Sequence, residues 1–96
     1  MITKIKLSMR IFHNVLDSDI ESNIDACMLD LQRVGINAKV ADKTSKDALI
    51  NKAAELYCKW QNDFNAKGEQ YQKAYEKLRD AISLCDTYAG NEDSNV

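Results

Sequence analysis

Not one of the 96 residues is proline, and glycine occurs only at positions 35, 68 and 90. Proline stops helices by removing a backbone donor, and glycine ends them by accepting left-handed backbone angles. A chain so poor in both has few places to break, so its apolar periodicity reads as long helices cut at the glycines. Hydrophobic residues make up 45% of the chain, more than an intrinsically disordered chain carries, and the scarcity of glycine and proline excludes collagen-like and low-complexity sequence. The length fits one domain with one modest core and no large preformed active-site cavity.

Four segments follow from the stripes. Residues 3–13 (TKIKLSMRIFH) place Ile5, Met9 and Phe12 at i, i+4 and i+7, a short amphipathic helix. Ser18 and Glu21 have the S-x-x-E spacing of a capping box, so a second helix is expected to start there. Its stripe is Ile20, Ile24, Cys27, Leu31 and Val34, widened by Met28 and Leu29. Gly35 is placed to end it in a left-handed conformation, with Ile36 folding back as the accompanying apolar contact. Residues 36–44 read as a loop or a short extended piece. Thr44 or Ser45 is expected to cap the third helix, with Asp47 in its first turn. The third stripe is Leu49/Ile50, Ala53, Tyr57, Trp60 and Phe64, backed on the wetter side by Glu55 and Lys59 at i, i+4. Asn65-Ala66-Lys67-Gly68 is a turn short enough to make the fourth helix, about 69–87, an antiparallel neighbour. Tyr71, Ala74/Tyr75, Leu78, Ala81/Ile82 and Cys85 face inward on it, with Glu69 and Lys73 paired outside. The expectation is an all-α, compact bundle of about four helices, two short-to-medium and two long and antiparallel, with a loop around 36–44. It forms a single helical domain over 1–89, followed by a disordered acidic tail over 90–96.

Charge is segregated rather than extreme. Thirteen basic against fifteen acidic residues give a net charge of −2, which argues against a dedicated nucleic-acid binder. Residues 1–16 carry Lys4, Lys6 and Arg10 and no acid, whereas 17–31 carry Asp17, Asp19, Glu21, Asp25 and Asp30 and no base. Such blocks are either solvated helix faces or complementary patches that dock one copy on the next or on a partner. The acids at 17–25 lack the glycine and the twelfth-position glutamate of an EF-hand loop. Cys27, Cys58 and Cys85 lie about thirty residues apart with no CxxC, so they read as small buried hydrophobes in a reducing compartment rather than zinc ligands. His13, the only histidine, has no spacing that pairs it with a nucleophile. There is no phosphate-cradling glycine loop, no G-x-S-x-G and no H-E-x-x-H, so no catalytic, cofactor or metal residue is assigned. No window approaches the roughly 20 apolar residues of a membrane span, and MITKIKLSMRIFHN lacks the apolar core of a signal peptide. A soluble protein made inside a cell, without membrane contact, is expected.

Two features remain. Tyr57, Trp60, Phe64, Tyr71 and Tyr75 gather around the turn between the third and fourth helices, where helical spacing makes them core aromatics and a binding hot spot is the alternative. Met28, Leu29, Leu56 and Leu84 lie off the main stripes, which points to burial by another subunit. With Lys4, Lys6, Arg10, Asp17, Asp19 and Glu21 they form the candidate interface.

The second half, AAELYCKWQNDFNAKGEQYQKAYEKLRDAISLCDTY, resembles the small all-helical head–tail connector proteins of tailed bacteriophages and prophages, also described as DNA-packaging or head-completion proteins. LYCKW on one helix, the polar turn NAKGEQ, then YEKLRDAISL with a following tyrosine carry the resemblance. The first half fits the same layout, so that about ninety residues are covered. The resemblance implies a structural virion protein, assembled in the host bacterial cytoplasm. It implies a ring homo-oligomer that bridges the portal protein and an adjacent tail adaptor or stopper. It implies no cofactor and no reaction, and only non-specific contact with transiting DNA. Net charge −2 repeated around a ring suits a channel through which DNA slides, and segregated charge suits head-to-tail contacts that close a ring. The rival reading is a small helical prophage regulator or helix-turn-helix DNA-binding protein, which would need its third helix to present Asn51, Lys52, Lys59, Gln61 and Asn62 to a groove.

Overall fold

The computed structural model describes residues 1–11, 17–85 and 88. Among them are four α-helices, α1 (Ile2–Ser8), α2 (Asp17–Arg33), α3 (Ala48–Gln61) and α4 (Gly68–Ser83), with one 3₁₀ turn at Phe64–Ala66 and no strand element. The protein is an all-α bundle. α3 is its central member, contacting α1, α2 and α4. Pairing of Trp60 with Tyr75 and of Phe64 with Tyr71 shows α3 and α4 running antiparallel.

Two helix ends share one device. At the end of α2, Gly35 has φ +103°, its N–H bonds Gln32 O at 3.0 Å, and the Ile36 N–H reaches back to Leu31 O at 3.1 Å. This is a Schellman motif, and Leu31 and Ile36 at its two ends are both buried in the core. α1 ends the same way without glycine. Arg10 takes φ 58°, its N–H bonds Leu7 O, and Ile11 N–H bonds Lys6 O at 2.9 Å. The first helix therefore stops at Ser8 instead of continuing to 13; Ile5 and Met9 keep their inward places, and Phe12 and His13 lie outside the described residues.

Other expectations shift in detail. Ser18 is inside the first turn of α2 rather than at its cap, so the capping box with Glu21 does not form. The α3 cap is Asp47 itself, whose carboxylate accepts from Leu49 N–H at 2.9 Å and Ile50 N–H at 3.2 Å, in place of Thr44 or Ser45. The buried face of α3 is Ile50, Ala53, Ala54 and Cys58, rotated from the expected stripe so that Leu49 points out. Small residues prevail there because α3 is packed on more than one side, and close backbone approach leaves no room for large ones. Lys59 is not on a wet face. Its ammonium bonds Glu55 at 3.0 Å and lies over the Phe64 and Tyr71 rings, with the side chain only 13% exposed. α4 stops at Ser83, so Cys85 falls beyond it and is exposed, not inward; Ala74 and Ala81 are exposed as well. Residues 36–44 form turns, with Gln32 Nε2 donating to Ala41 O at 3.0 Å. The tail expected over 90–96 lies outside the described residues.

The turn between α3 and α4 explains Gly68. Asp63 adopts φ 47° and its Oδ1 accepts the Gly68 N–H at 2.8 Å. A Cβ on residue 68 would sit 2.6 Å from that oxygen and 3.2 Å from the Trp60 carbonyl, so only glycine admits the bond.

Candidate functional site: a groove between α2, α3 and α4

Asp30 organises the contact between α2 and α4. One turn earlier on α2 lies Cys27, and three residues later Arg33; on α4, Tyr75 and Arg79 are spaced i, i+4 and face them. The Tyr75 hydroxyl donates to Asp30 Oδ2 at 2.6 Å and accepts from the Cys27 thiol at 3.8 Å. Arg79 Nη1 donates to the same Oδ2 at 3.1 Å, and Arg33 takes Oδ1 through Nη2 at 2.5 Å and Nε at 3.1 Å.

This network is built for holding charge, not for moving protons. Burial pushes the Asp30 carboxyl upward, but the bonds from Tyr75, Arg33 and Arg79 prevail and hold it below the usual carboxylate range. Tyr75 is pushed well above an ordinary phenol, first by burial and then by the neighbouring Cys27 and Asp30. Burial pushes the Cys27 and Cys58 thiols up to about 12, so at neutral pH neither is a thiolate. Both Asp30 oxygens are occupied, which leaves the carboxylate a poor base.

Over this network lies an open groove of about 500 Å³, lined by Ala26, Leu29, Asp30 and Arg33 from α2, Tyr57 and Trp60 from α3, and Glu76 and Arg79 from α4. Its floor is an aromatic cluster. Tyr57 meets Trp60 edge-on at 5.4 Å and Tyr75 at 5.1 Å, and Arg79 stacks over Tyr75 at 5.8 Å. Leu29 forms an exposed apolar rim, 65% accessible. An apolar rim, half-buried aromatics and fixed guanidinium groups are the components of a protein-binding hot spot.

The structure distributes the other interface candidates widely. Lys6 and Asp17 pair within the chain at 2.7 Å, so part of the basic and acidic segregation is satisfied internally. Lys4, Arg10, Asp19 and Glu21 are exposed, Met28 is buried in the core, Leu56 is half-buried, and Leu84 is 84% exposed but sits past the end of α4. Only Leu29 among them lines the groove. Of the five aromatics around the turn, Tyr75 is fully buried and Tyr57, Trp60, Phe64 and Tyr71 are half-buried. Asp30, Arg33, Glu76 and Arg79 were not distinguishable by local spacing, since Asp30 meets its α4 partners 45 and 49 residues away. On α3, Asn51 donates to Ser45 O and Asp47 O, and Lys52 and Lys59 pair with Glu55, while Asn62, just past its end, donates to Cys58 O, leaving little for a DNA groove to meet.

Sequence comparison agrees with the resemblance seen in LYCKW and YEKLRDAISL. The family described as phage connector protein matches residues 1–89. The chain belongs to that family. No curated protein and no solved structure matches it. Family membership makes the protein a structural component of the phage particle that contacts other head or tail proteins. Among the described residues, no helix is long and apolar enough to cross a membrane, and no group of three His, Cys, Asp or Glu side chains is placed to hold a metal ion.

Proposed function

We propose that the protein is one subunit of a ring-like homo-oligomer that joins the portal to the adjacent tail adaptor or stopper and serves DNA packaging and head completion. The reading rests on the family match over residues 1–89, and the open groove with exposed Leu29 and half-buried Trp60 supports it as a candidate contact surface. A subunit of this kind works by contact alone, with the Asp30 network fixing α2 against α4 so that the groove keeps its shape as neighbours bind. Assembly takes place in the host cytoplasm and DNA passes with only non-specific contact, in keeping with the net charge of −2. Candidate contact residues are Leu29 and Arg33 at the groove, with Lys4, Arg10, Asp19, Glu21 and Leu84 on other exposed surface. The single domain spans 1–89, and 90–96 is an accessory acidic segment.

Electron microscopy and sedimentation of the purified protein, alone and mixed with the portal of the same phage, test this. Rings, or a stoichiometric complex with the portal, are expected. A monomer that ignores the portal but shifts a specific DNA duplex in a salt-dependent gel assay would establish the regulator reading instead.

A further inference from the structure

α2 keeps one long face uncovered. Ser18, Ser22, Asp25, Leu29 and Gln32, spaced 4, 3, 4 and 3 apart, are all exposed, and that spacing is the line along which a second helix lies. Within it Asp25, Leu29 and the flanking Arg33 stand one turn apart, at i, i+4 and i+8. Leu29 is 65% exposed and the Arg33 side chain 67%.

Both charges have capacity to spare. Asp25 enters no ion pair among the described residues. Arg33 gives Nε and Nη2 to Asp30 and keeps Nη1 for another acceptor. The other acids beside it are occupied, Asp30 by Tyr75 and Arg79 as well, and Glu76 by Gln72 Nε2 at 3.3 Å. Arg33 is the only base on α2, whereas Asp19 and Glu21 are exposed toward the other end and extend the acidic half that Asp25 begins.

The order acid, apolar, base is its own complement when the helix is turned end for end. Two antiparallel copies of α2 centred on Leu29 place Arg33 opposite Asp25 twice, with leucine on leucine between. Two parallel copies would set Asp25 on Asp25 and Arg33 on Arg33, which repels. Antiparallel helix dipoles favour the same arrangement. The open groove beside Leu29, with half-buried Tyr57 and Trp60 in its lining, leaves apolar room for the incoming side chain.

We propose that α2 docks antiparallel on α2 of a second copy across a two-fold axis at Leu29, with Arg33 of each chain opposite Asp25 of the other. Such a contact uses the same patch on both chains and closes at two copies. It is therefore separate from any contact that builds a ring, and it goes beyond the connector role. A single pair of 17-residue helices, about 25 Å long, buries less than a standard interface, so the dimer is weak and reversible.

Sedimentation of the purified full chain at low salt tests this without any other phage protein, so the proposal can fail while the portal reading stands. The parent is expected to behave as a monomer–dimer system whose average mass rises between about 10 µM and about 1 mM. D25K and R33E are each expected to weaken self-association about ten-fold, because like charges then meet at both ends. An equimolar mixture of the two is expected to dimerise as the parent does, since opposite charges again face each other at both ends. A parent that stays monomeric over that range would overturn the proposal, as would a folded D25K that dimerises like the parent. Rings without a dimer would overturn it in favour of a head-to-tail contact. R33E also touches the Asp30 network, so L29C in a C85S chain supplies a second test. Cys27 and Cys58 are buried, and oxidation with diamide is expected to link position 29 to itself about ten-fold faster than the exposed position 77 in K77C/C85S. Equal rates would remove Leu29 from the axis and overturn the proposal.

Discussion

Replacing Tyr75 with Phe removes a single oxygen from the contact between α2 and α4. The side chain is fully buried, so water does not take the hydroxyl's place, and the ring keeps Tyr57 at 5.1 Å and Trp60 at 6.0 Å. What disappears is the 2.6 Å bond to Asp30 and the acceptor for the Cys27 thiol. A hydrogen bond to a charged partner contributes about 1.5–3 kcal/mol. Asp30 retains Arg33 and Arg79 and is not stranded, and a thiol is a weak donor, so the expected loss is at the lower end, about 1.5–2 kcal/mol. For a domain of this size that lowers the melting temperature by about 6–16 °C. The loss also depends on pH through Asp30. Its depressed pKa stabilises the fold at pH above the unfolded-state value, and that contribution is lost as pH falls through the folded-state value. Removing one of the bonds that depress it moves the folded-state value up, so the acid limb of the stability curve becomes shallower in Tyr75→Phe. Urea unfolding followed by Trp60 fluorescence, repeated from neutral pH down through the carboxylate range, measures both effects. A variant within about 0.3 kcal/mol of the parent at neutral pH, or an equal loss where Asp30 is protonated, would refute the reasoning.

Asp47→Ala removes the α3 cap and the acceptor for Tyr88 together. Losing a cap costs about 1 kcal/mol and losing a hydrogen bond about 1 more, so thermal unfolding is expected to show a deficit of about 2 kcal/mol. Of the three cysteines, native protein is expected to expose only Cys85 to a thiol reagent at mildly alkaline pH, since Cys27 and Cys58 are fully buried with thiols near 12; three rapid modifications without denaturant would contradict the packing. Leu29→Lys, at a position 65% exposed, is expected to leave unfolding within about 0.5 kcal/mol of the parent while abolishing the complex with neighbouring phage proteins. An intact complex would remove the groove from the interface.

Local rules made most of the secondary structure legible. The stripe from Ile20 to Leu31 and the turn at Gly35 and Ile36 follow from helical spacing and from the one residue type that accepts φ +103° freely. Arg10 fails the same test because a non-glycine residue occupies the same kind of position, held by tertiary burial of Met9 and by the bond from Ile11 to Lys6. The rotation of α3 was hidden for a related reason. Large residues dominate any apolar stripe on paper, while a helix packed on several sides buries its small ones, Ala53, Ala54 and Cys58. The Asp30 network had no local signature at all. Tyr75 looked like another core aromatic, and only the fold shows its hydroxyl directed at a carboxylate 45 residues earlier.

The same arrangement sets how stability and the proposed recognition are divided in so small a domain. Because α3 is the central helix, its small residues let α2 and α4 approach, and the bulky Tyr57 and Trp60 are displaced to the edge where the three helices meet. There they are half-buried: Tyr57 and Trp60 pack on Tyr75 and still line an open groove. A chain of this length has little apolar volume to spare, and here the same aromatics pack at the core edge and line the groove. Placing a fully bonded carboxylate beneath them solves the remaining problem, since Arg33 and Arg79 fix the groove wall by charge rather than by further apolar volume. On the proposed docking role of the groove, truncating the aromatics is expected to lower stability and docking together, whereas Leu29, which contributes to the rim and not to the core, is expected to separate them.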